Sequence, residues 1–104
     1  MEMVLFFLSE DIAPYFEQGV QACNNALQAN PESADALGML SNIYFRMGDY
    51  VIDQGKDPIE YLQKAIKYAD QALNKRPRDE NLHSNKGNIF WKKAFYEQKH
   101  GQNS

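Results

Sequence analysis

The chain repeats itself with a period of 46 residues, and this periodicity restricts the folds that it can adopt. Residues 15–31 (YFEQGVQACNNALQANP) align without a gap on residues 61–77 (YLQKAIKYADQALNKRP), and residues 41–58 align on residues 87–104. Aromatic, small and proline positions coincide in the two copies. A repeated unit of this length predicts one structural motif that is used twice and stacked on itself.

Each copy contains two stretches in which apolar residues recur every three or four positions, the spacing of one face of an α-helix. Ser33 and Asp79 each stand two residues after a proline and immediately before such a stretch, where an N-capping side chain is expected. No segment alternates apolar and polar residues for long enough to predict a β-strand. The predicted helices span residues 12–29, 34–53, 58–75 and 80–99. The sequence therefore predicts an all-α fold of about four helices.

Small residues occur at matching places in the first and third predicted helices, at positions i, i+4 and i+7. They are Gly19, Cys23 and Ala26 in one copy and Ala65, Ala69 and Ala72 in the other. Small side chains on one face let a neighbouring helix approach closely. Because a single hairpin of this kind cannot bury its apolar surface alone, we expect antiparallel helix hairpins stacked as a short α-solenoid.

By its repeats the chain divides into an apolar N-terminal segment, residues 1–11, and a repeat domain, residues 12–104, with copies at 12–57 and 58–104. The run MVLFFL, Met3–Leu8, is six apolar residues long, which is too short to span a membrane. We therefore expect no membrane span, and we expect Met3–Leu8 to be a buried helix end or a contact surface.

The 104 residues carry a net charge of −3, which argues against nucleic-acid binding. The charge is unevenly distributed, because residues 1–52 have seven acidic side chains and a single basic one, Arg46. Residues 53–104 have ten basic and seven acidic side chains, and this basic half favours an acidic peptide or protein partner. The one cysteine, Cys23, excludes an intramolecular disulfide and fits a reducing compartment, so we expect a cytoplasmic protein.

No group of residues in the sequence has the spacing of a catalytic site or a metal site. The two histidines, His83 and His100, are far apart in sequence and form no metal-binding motif. Cys23 lies among the small residues of a predicted helix face, which favours a buried thiol over a nucleophile. We therefore expect no enzymatic activity, no bound metal and no cofactor.

Residues 36–50 (ALGMLSNIYFRMGDY) have the small, Leu, small, Tyr and Gly-x-Tyr spacing of the first helix of a tetratricopeptide repeat (TPR), and residues 64–77 (KAIKYADQALNKRP) resemble the second. The usual TPR is about 34 residues long. The longer period implies an extended variant, similar to repeats found behind catalytic domains in bacterial signalling proteins. The resemblance covers residues 12–104 and implies a TPR-like α-solenoid that serves as a protein-interaction scaffold.

The resemblance also implies a concave surface, formed by the second and fourth predicted helices, that binds an extended peptide. Carried over to this sequence, the peptide-binding residues are Asp35, Met39, Asn42, Phe45, Arg46, Asn85, Asn88, Trp91 and Lys92. The amides of Asn42 and Asn88 would hold a peptide backbone, because an amide is both a donor and an acceptor. The aromatic residues would supply apolar area, and the basic residues would bind carboxylates. The alternative is that these asparagines are solvated surface residues.

The alignment places the last residues of the chain on the turn between copies, so the fourth helix has no predicted partner of its own. We expect Gly87, Phe90 and Ala94 to be exposed there, as is typical of a surface that another chain covers. The favoured function is a non-catalytic protein-protein interaction module that binds a peptide or partner protein in a groove. The alternatives are a homodimer that assembles through its terminal helices and a regulatory fragment of a larger signalling enzyme.

Overall fold

The computed structural model describes the backbone of residues 2–100 and the side chains of residues 14–100. The four α-helices are α1 (Glu2–Ala29), α2 (Ala34–Asp53), α3 (Ile59–Lys75) and α4 (Glu80–Lys99). Residues 2–100 contain no β-strand. The prediction of an all-α fold with four helices is therefore confirmed.

Each helix packs against the next one in the chain, so that the molecule is a series of helix hairpins. The largest interface joins α2 to α3, whereas α1 rests on α2, and α4 rests on α3 and also touches α2. The principal extents are 43 × 34 × 17 Å. The shortest of them corresponds to two layers of helices at the usual separation of about 10 Å. This arrangement is that of a short helical solenoid.

The helix ends follow the period of the sequence. Helix α4 begins and ends 46 residues after α2, and α3 ends 46 residues after α1. Helix α1 departs from the pattern, because it begins at Glu2 rather than at the predicted Ile12. Pro14 lies inside α1 and hid this extension, since proline usually stands in the first turn of a helix. The role predicted for Met3–Leu8 concerns side chains outside the described residues.

The N-caps of α2 and α4 are the predicted residues. Ser33 Oγ accepts a hydrogen bond from the N–H of Ala36 at 3.1 Å, and Asp79 Oδ1 accepts one from the N–H of Leu82 at 3.1 Å. Each bond satisfies a backbone donor that the helix leaves unpaired. Helix α3 begins at Ile59, one residue later than predicted.

Gly55 ends α2 and turns the chain towards α3. Its φ of +77° lies in the left-handed region, which glycine adopts without strain. The N–H of Gly55 bonds to the carbonyl of Ile52 at 2.9 Å, and the N–H of Lys56 bonds to the carbonyl of Val51 at 2.8 Å. This pair of bonds is a Schellman motif, which satisfies two carbonyls at the end of α2.

The core lies mainly between α2, α3 and α4, where the buried apolar side chains form two clusters. The clusters are Leu37, Ala72 and Leu82, and Leu62, Ala65 and Ile89. The predicted small-residue face of α3 is confirmed, because Ala65, Ala69 and Ala72 are at most 1% exposed. In α1 the pattern holds only in part, since Cys23 is buried but Ala26 is exposed.

A buried hydrogen bond and a close approach join α2 to α3. Ser41 Oγ donates to the carbonyl oxygen of Ala65 at 2.7 Å. Gly48 faces Leu62, and a Cβ added at Gly48 would lie 2.8 Å from Leu62 Cδ2 and 3.3 Å from Leu62 Cγ. Because Leu62 has no exposed surface, it has no free volume into which it can move. The spacing between α2 and α3 therefore depends on the absence of a side chain at position 48.

We expect Gly48→Ala to lower the free energy of unfolding by about 1–2 kcal/mol, because overpacking costs more than the helix propensity of alanine returns. The measurement is urea denaturation followed by circular dichroism. The matched control is Gly87→Ala, also inside a helix, where an added Cβ meets nothing within 4 Å. That variant should be more stable than the parent chain by about 0.5–1 kcal/mol. Equal effects of the two substitutions would show that the contact with Leu62 does not limit the helix spacing.

Candidate functional site

The structure brings together four of the nine residues that the sequence predicts for a peptide-binding groove. Asp35, Met39, Asn42 and Asn85 line a cavity between α2 and α4 with a volume of about 350 Å³. We call this the polar cavity. The turn between α3 and α4 also contributes to its lining.

The polar cavity is partly occupied by an ion pair of the chain itself. Arg76 Nη1 donates to Asp35 Oδ1 at 2.8 Å, and both side chains are largely exposed to solvent. An exposed pair of this kind stabilises the fold by at most about 1 kcal/mol. A cationic ligand group could therefore replace Arg76 at little cost. Asn42 and Asn85 are exposed, so their amides are available to a ligand.

Two other predicted groove residues have partners within the fold. Phe45 is half-buried against the cluster of Leu62, Ala65 and Ile89, so it packs in the core. Lys92 Nζ contacts Asp49 Oδ1 at 2.8 Å and joins α4 to α2. The structure therefore gives Phe45 and Lys92 an intramolecular role in packing and in helix pairing.

The remaining two residues on α4, Asn88 and Trp91, are exposed but do not line the polar cavity. Trp91 stacks on Phe95, with ring centroids 5.2 Å apart and planes inclined by 7°. The expected exposure of Gly87, Phe90 and Ala94 is confirmed, and Phe90 is 49% exposed.

Arg46 lies beside a second depression that the sequence did not predict. It forms between α1 and α2, and its volume is about 360 Å³. The lining residues are Tyr15, Phe16, Ile43, Arg46, Met47 and Tyr50. We call this the apolar cleft, because Arg46 is the one charged residue among those described that line it.

Two features hold the apolar cleft in shape. The ring of Phe16 makes edge-to-face contacts with Tyr44, at 5.4 Å between centroids, and with Tyr61, at 6.1 Å. Gly19 lets α1 approach α2 closely, since a Cβ there would lie 2.9 Å from Ile43 Cδ1. Tyr15 was visible in the sequence as an aromatic position that recurs as Tyr61. The assembly of the cleft was not visible, because no sequence pattern reports which side of a helix stays uncovered.

Tyr50 lines the apolar cleft, and its hydroxyl is buried and has no hydrogen-bond partner among the described residues. Gln54 Oε1, which lines the adjoining depression with Tyr50, also lacks a partner among them. Unpaired buried groups of this type are unfavourable by about 1–3 kcal/mol. A ligand that offers a polar atom here would recover part of that free energy.

Cys23 and His83 have reactive side chains, but each makes contacts within the fold. Cys23 is buried, and burial raises the pKa of its thiol, so the thiol is protonated at neutral pH and is a poor nucleophile. His83 Nε2 lies 2.7 Å from the carbonyl oxygen of Pro77, in hydrogen-bond contact with it. Within the described part of the chain, no three metal-ligating side chains come together. None of its helices combines the length and the apolar character needed to cross a membrane.

Comparison with known proteins places the chain beside one described family. A family described as the plant specific mitochondrial import receptor subunit TOM20 matches residues 2–97, which is nearly the whole chain. No curated protein and no solved structure matches the chain. The family description names a receptor subunit and no catalytic activity.

This match corrects three expectations drawn from the sequence. The assignment to the TPR family, as an extended variant like those of bacterial signalling proteins, is wrong, since the matching family is a different one. Small residues between paired helices meet a general packing requirement and so do not identify a family. The description of a cytoplasmic TPR scaffold and the cytoplasmic location are wrong as well, because the family is one of mitochondrial import receptors. The chain belongs to the family of the plant specific mitochondrial import receptor subunit TOM20.

Proposed function

We propose that this chain is a receptor domain that binds precursor proteins destined for mitochondria, and that the apolar cleft is the binding site. The family description supplies the class of ligand, which is a protein that is to be imported. The apolar cleft supplies a concave, mainly apolar surface with a volume of about 360 Å³. The single observation that carries the assignment of the site is that this surface is open in one copy of the repeat and covered by a helix in the other.

The repeat makes that comparison residue by residue. Phe16, Gly19 and Ile43 of the first copy align on Leu62, Ala65 and Ile89 of the second. In the second copy these three residues are completely buried, because α2 lies across them with the side chains of Tyr44 and Phe45. In the first copy the corresponding surface is the apolar cleft. A ligand helix bound there would occupy the position that α2 occupies on the second copy.

Mitochondrial targeting segments have the chemistry that such a position requires. They are amphipathic, rich in arginine and poor in acidic residues. Their apolar face would enter the cleft between Phe16, Ile43 and Met47, in the manner of a helix in a groove. Their basic face would point towards solvent and towards the acidic half of the chain, where residues 1–52 have seven acidic side chains and one basic one.

The side chains of the cleft also suit a receptor that must accept many sequences. Met47 has a flexible and polarisable thioether, which adapts to apolar partners of different shape. Tyr15 is 76% exposed and stands at the rim, where its ring can fold over a ligand. A site of this kind selects amphipathic character rather than a fixed sequence.

The polar cavity is the alternative site for the same ligands. Asp35 could bind an arginine of the ligand after Arg76 is displaced, and the amides of Asn42 and Asn85 could hold its backbone. We favour the apolar cleft, because the apolar face of a targeting segment would find little apolar surface in the polar cavity. Met39, which is 60% exposed, is the main apolar side chain there.

Two methionines on α2 provide a matched test, because Met47 lines the apolar cleft and Met39 lines the polar cavity. We expect Met47→Ala to weaken binding of a synthetic amphipathic, arginine-rich targeting peptide by about fivefold, equivalent to about 1 kcal/mol. Met39→Ala should leave the dissociation constant unchanged. Fluorescence anisotropy of a labelled peptide measures both, and circular dichroism checks the fold.

Tyr15→Ala is a second variant of the cleft, and its exposure makes an effect on folding small. It should weaken binding of the same peptide to a similar extent. A loss of binding with Met39→Ala alone would move the site to the polar cavity. If none of the three variants binds the peptide less tightly than the parent chain, the proposed function is wrong.

Arg46 tests the charge of the ligand. Since it is the one charged residue among the described residues of the cleft, Arg46→Gln should strengthen binding of a basic peptide by about threefold at low salt. The gain should disappear at high salt, because exposed charges are then screened. Arg78→Gln, in the turn between α3 and α4, is the control and should have no effect.

The opposite result has a structural interpretation. Arg46 aligns on Lys92, which contacts the carboxylate of Asp49 in the second copy. Weaker binding with Arg46→Gln would mean that the ligand supplies a carboxylate of the same kind. That outcome would support the acidic partner that the basic half of the chain suggests, and would contradict a basic targeting segment.

A further inference from the structure

The depression beside the apolar cleft, next to the last turn of α2, has polar and aromatic walls, and we call it the end pocket. It has a volume of about 240 Å³ and shares Met47 and Tyr50 with the apolar cleft. Its other polar and aromatic lining residues are Gln54, Lys56, Asp57 and Tyr61. The end pocket therefore lies where the apolar surface of the cleft gives way to polar side chains.

The oxygens of the end pocket have acceptor capacity that the described residues leave unused. The Tyr50 hydroxyl and Gln54 Oε1 are buried and have no hydrogen-bond partner among those residues. Asp57 Oδ1 accepts the N–H of Ile59 at 2.9 Å, but the carboxylate forms no ion pair within the described part of the chain. Amide and carboxylate oxygens only accept hydrogen bonds, so the ligand group that fits them is a donor.

The second copy of the repeat fills the corresponding place with a ring of its own. Tyr50 and Gln54 align on Tyr96 and His100. The imidazole of His100 lies against the ring of Tyr96, with centroids 4.2 Å apart and planes inclined by 27°. The first copy has a glutamine where the second has this flat, nitrogen-containing ring. The unpaired oxygens are therefore particular to the first copy, which is also the copy with the open cleft.

We propose that the end pocket binds an arginine side chain of the ligand, an inference that rests on the receptor function proposed above. A guanidinium is planar and has five N–H donors and no acceptor. Its edge would donate to Gln54 Oε1, to the Tyr50 hydroxyl oxygen and to the carboxylate of Asp57. Its flat face would pack on the ring of Tyr61, since guanidinium groups stack on aromatic rings.

Both unpaired oxygens are buried in this structure, so a ligand reaches them only after their side chains rotate. No hydrogen bond within the described part of the chain holds Gln54 Oε1 or the Tyr50 hydroxyl in place. The rotation therefore breaks no bond of these atoms. It exchanges an unsatisfied oxygen for one that accepts from a charged donor, which is a stronger hydrogen bond than one between neutral groups.

Shape and charge select arginine over other ligand groups. The ammonium of a lysine is a compact, strongly hydrated point charge and lacks the planar fork. A carboxylate offers only acceptors and would be repelled by Asp57. Arg46 does not oppose the arginine, because Gln54 lies eight positions further along the chain, about 12 Å along a helix axis and beyond the screening length at physiological salt.

The first test uses the amphipathic, arginine-rich peptide described above and versions in which one arginine at a time becomes lysine. We expect one of these replacements to weaken binding by about tenfold, although the charge of the peptide is unchanged. The other replacements should change the dissociation constant by less than about twofold. Fluorescence anisotropy measures the series.

Variants of Gln54 connect the sensitive arginine to the end pocket. Gln54→Leu should weaken the parent peptide by about tenfold and leave the version with lysine at the sensitive position unchanged. Gln54→Glu keeps the acceptor and adds a charge, so it should strengthen the parent peptide by about threefold at low salt, a gain that misfolding does not produce. The matched control is Gln63→Leu, at an exposed glutamine of α3, which should bind as the parent chain does.

A second measurement needs no peptide. Two-dimensional ¹H–¹⁵N NMR spectra of the full chain report on the side-chain amide of Gln54 and the backbone N–H groups of Lys56 and Asp57. We expect N-acetyl-arginine amide to shift these signals, and N-acetyl-lysine amide at the same concentration to leave them in place. Gln54→Leu should abolish the shifts at Lys56 and Asp57.

Two results would overturn the proposal. One is a targeting peptide that binds but tolerates lysine at every arginine position. The other is a spectrum that N-acetyl-arginine amide leaves unchanged or that N-acetyl-glutamate amide shifts instead, which would identify a carboxylate as the ligand.

The two measurements also distinguish failure of this proposal from failure of the receptor function. Shifts with the arginine probe, together with no binding of the targeting peptide, would contradict the receptor function and support an arginine site in the end pocket. Peptide binding that responds to Met47→Ala but shows no preference for arginine would support the receptor function and overturn the arginine site.

Discussion

The close contact between α2 and α3 is the constraint on which the other interfaces depend. Three alanines of α3 present almost no side-chain bulk to α2, and Gly48 presents none to Leu62. The hydrogen bond from Ser41 to the carbonyl of Ala65 fixes the position of the two helices along their axes. Since α2 also borders α1 and α4, its placement determines the shape of both the apolar cleft and the polar cavity. A shift of α2 by one methyl group would change the shape of both.

The sequence was most informative where local chemistry decides the structure. The caps at Ser33 and Asp79, and the buried alanine face of α3, follow from backbone hydrogen bonding and from the need for close approach. It was least informative where tertiary contacts decide. The sequence predicts Phe45 and Lys92 as groove residues. In the structure Phe45 packs on a core cluster and Lys92 pairs with Asp49.

The apolar cleft shows why a repeat in the sequence does not produce two equivalent sites. The same positions occur in both copies, yet in the second copy α2 covers them. Whether a surface is buried or open therefore depends on its place in the stack, and a comparison of residue types does not contain that information. The family relationship was hidden for a related reason, since hairpins with small residues at their contacts arise wherever helices pack in pairs.

Among the described helices, α1 packs against α2 alone, whereas α3 is held between α2 and α4. A helix with one packing partner opens at a lower free energy than a helix with two. The rim of the apolar cleft, with Tyr15, thus belongs to a helix that opens more readily than α3. Capture of a ligand and the ordering of α1 would then be one coupled event. A chain that binds its ligand in this way would release it when α1 unfolds locally. The lifetime of the complex would then depend on the rate of local unfolding of α1 as much as on the contacts with the ligand.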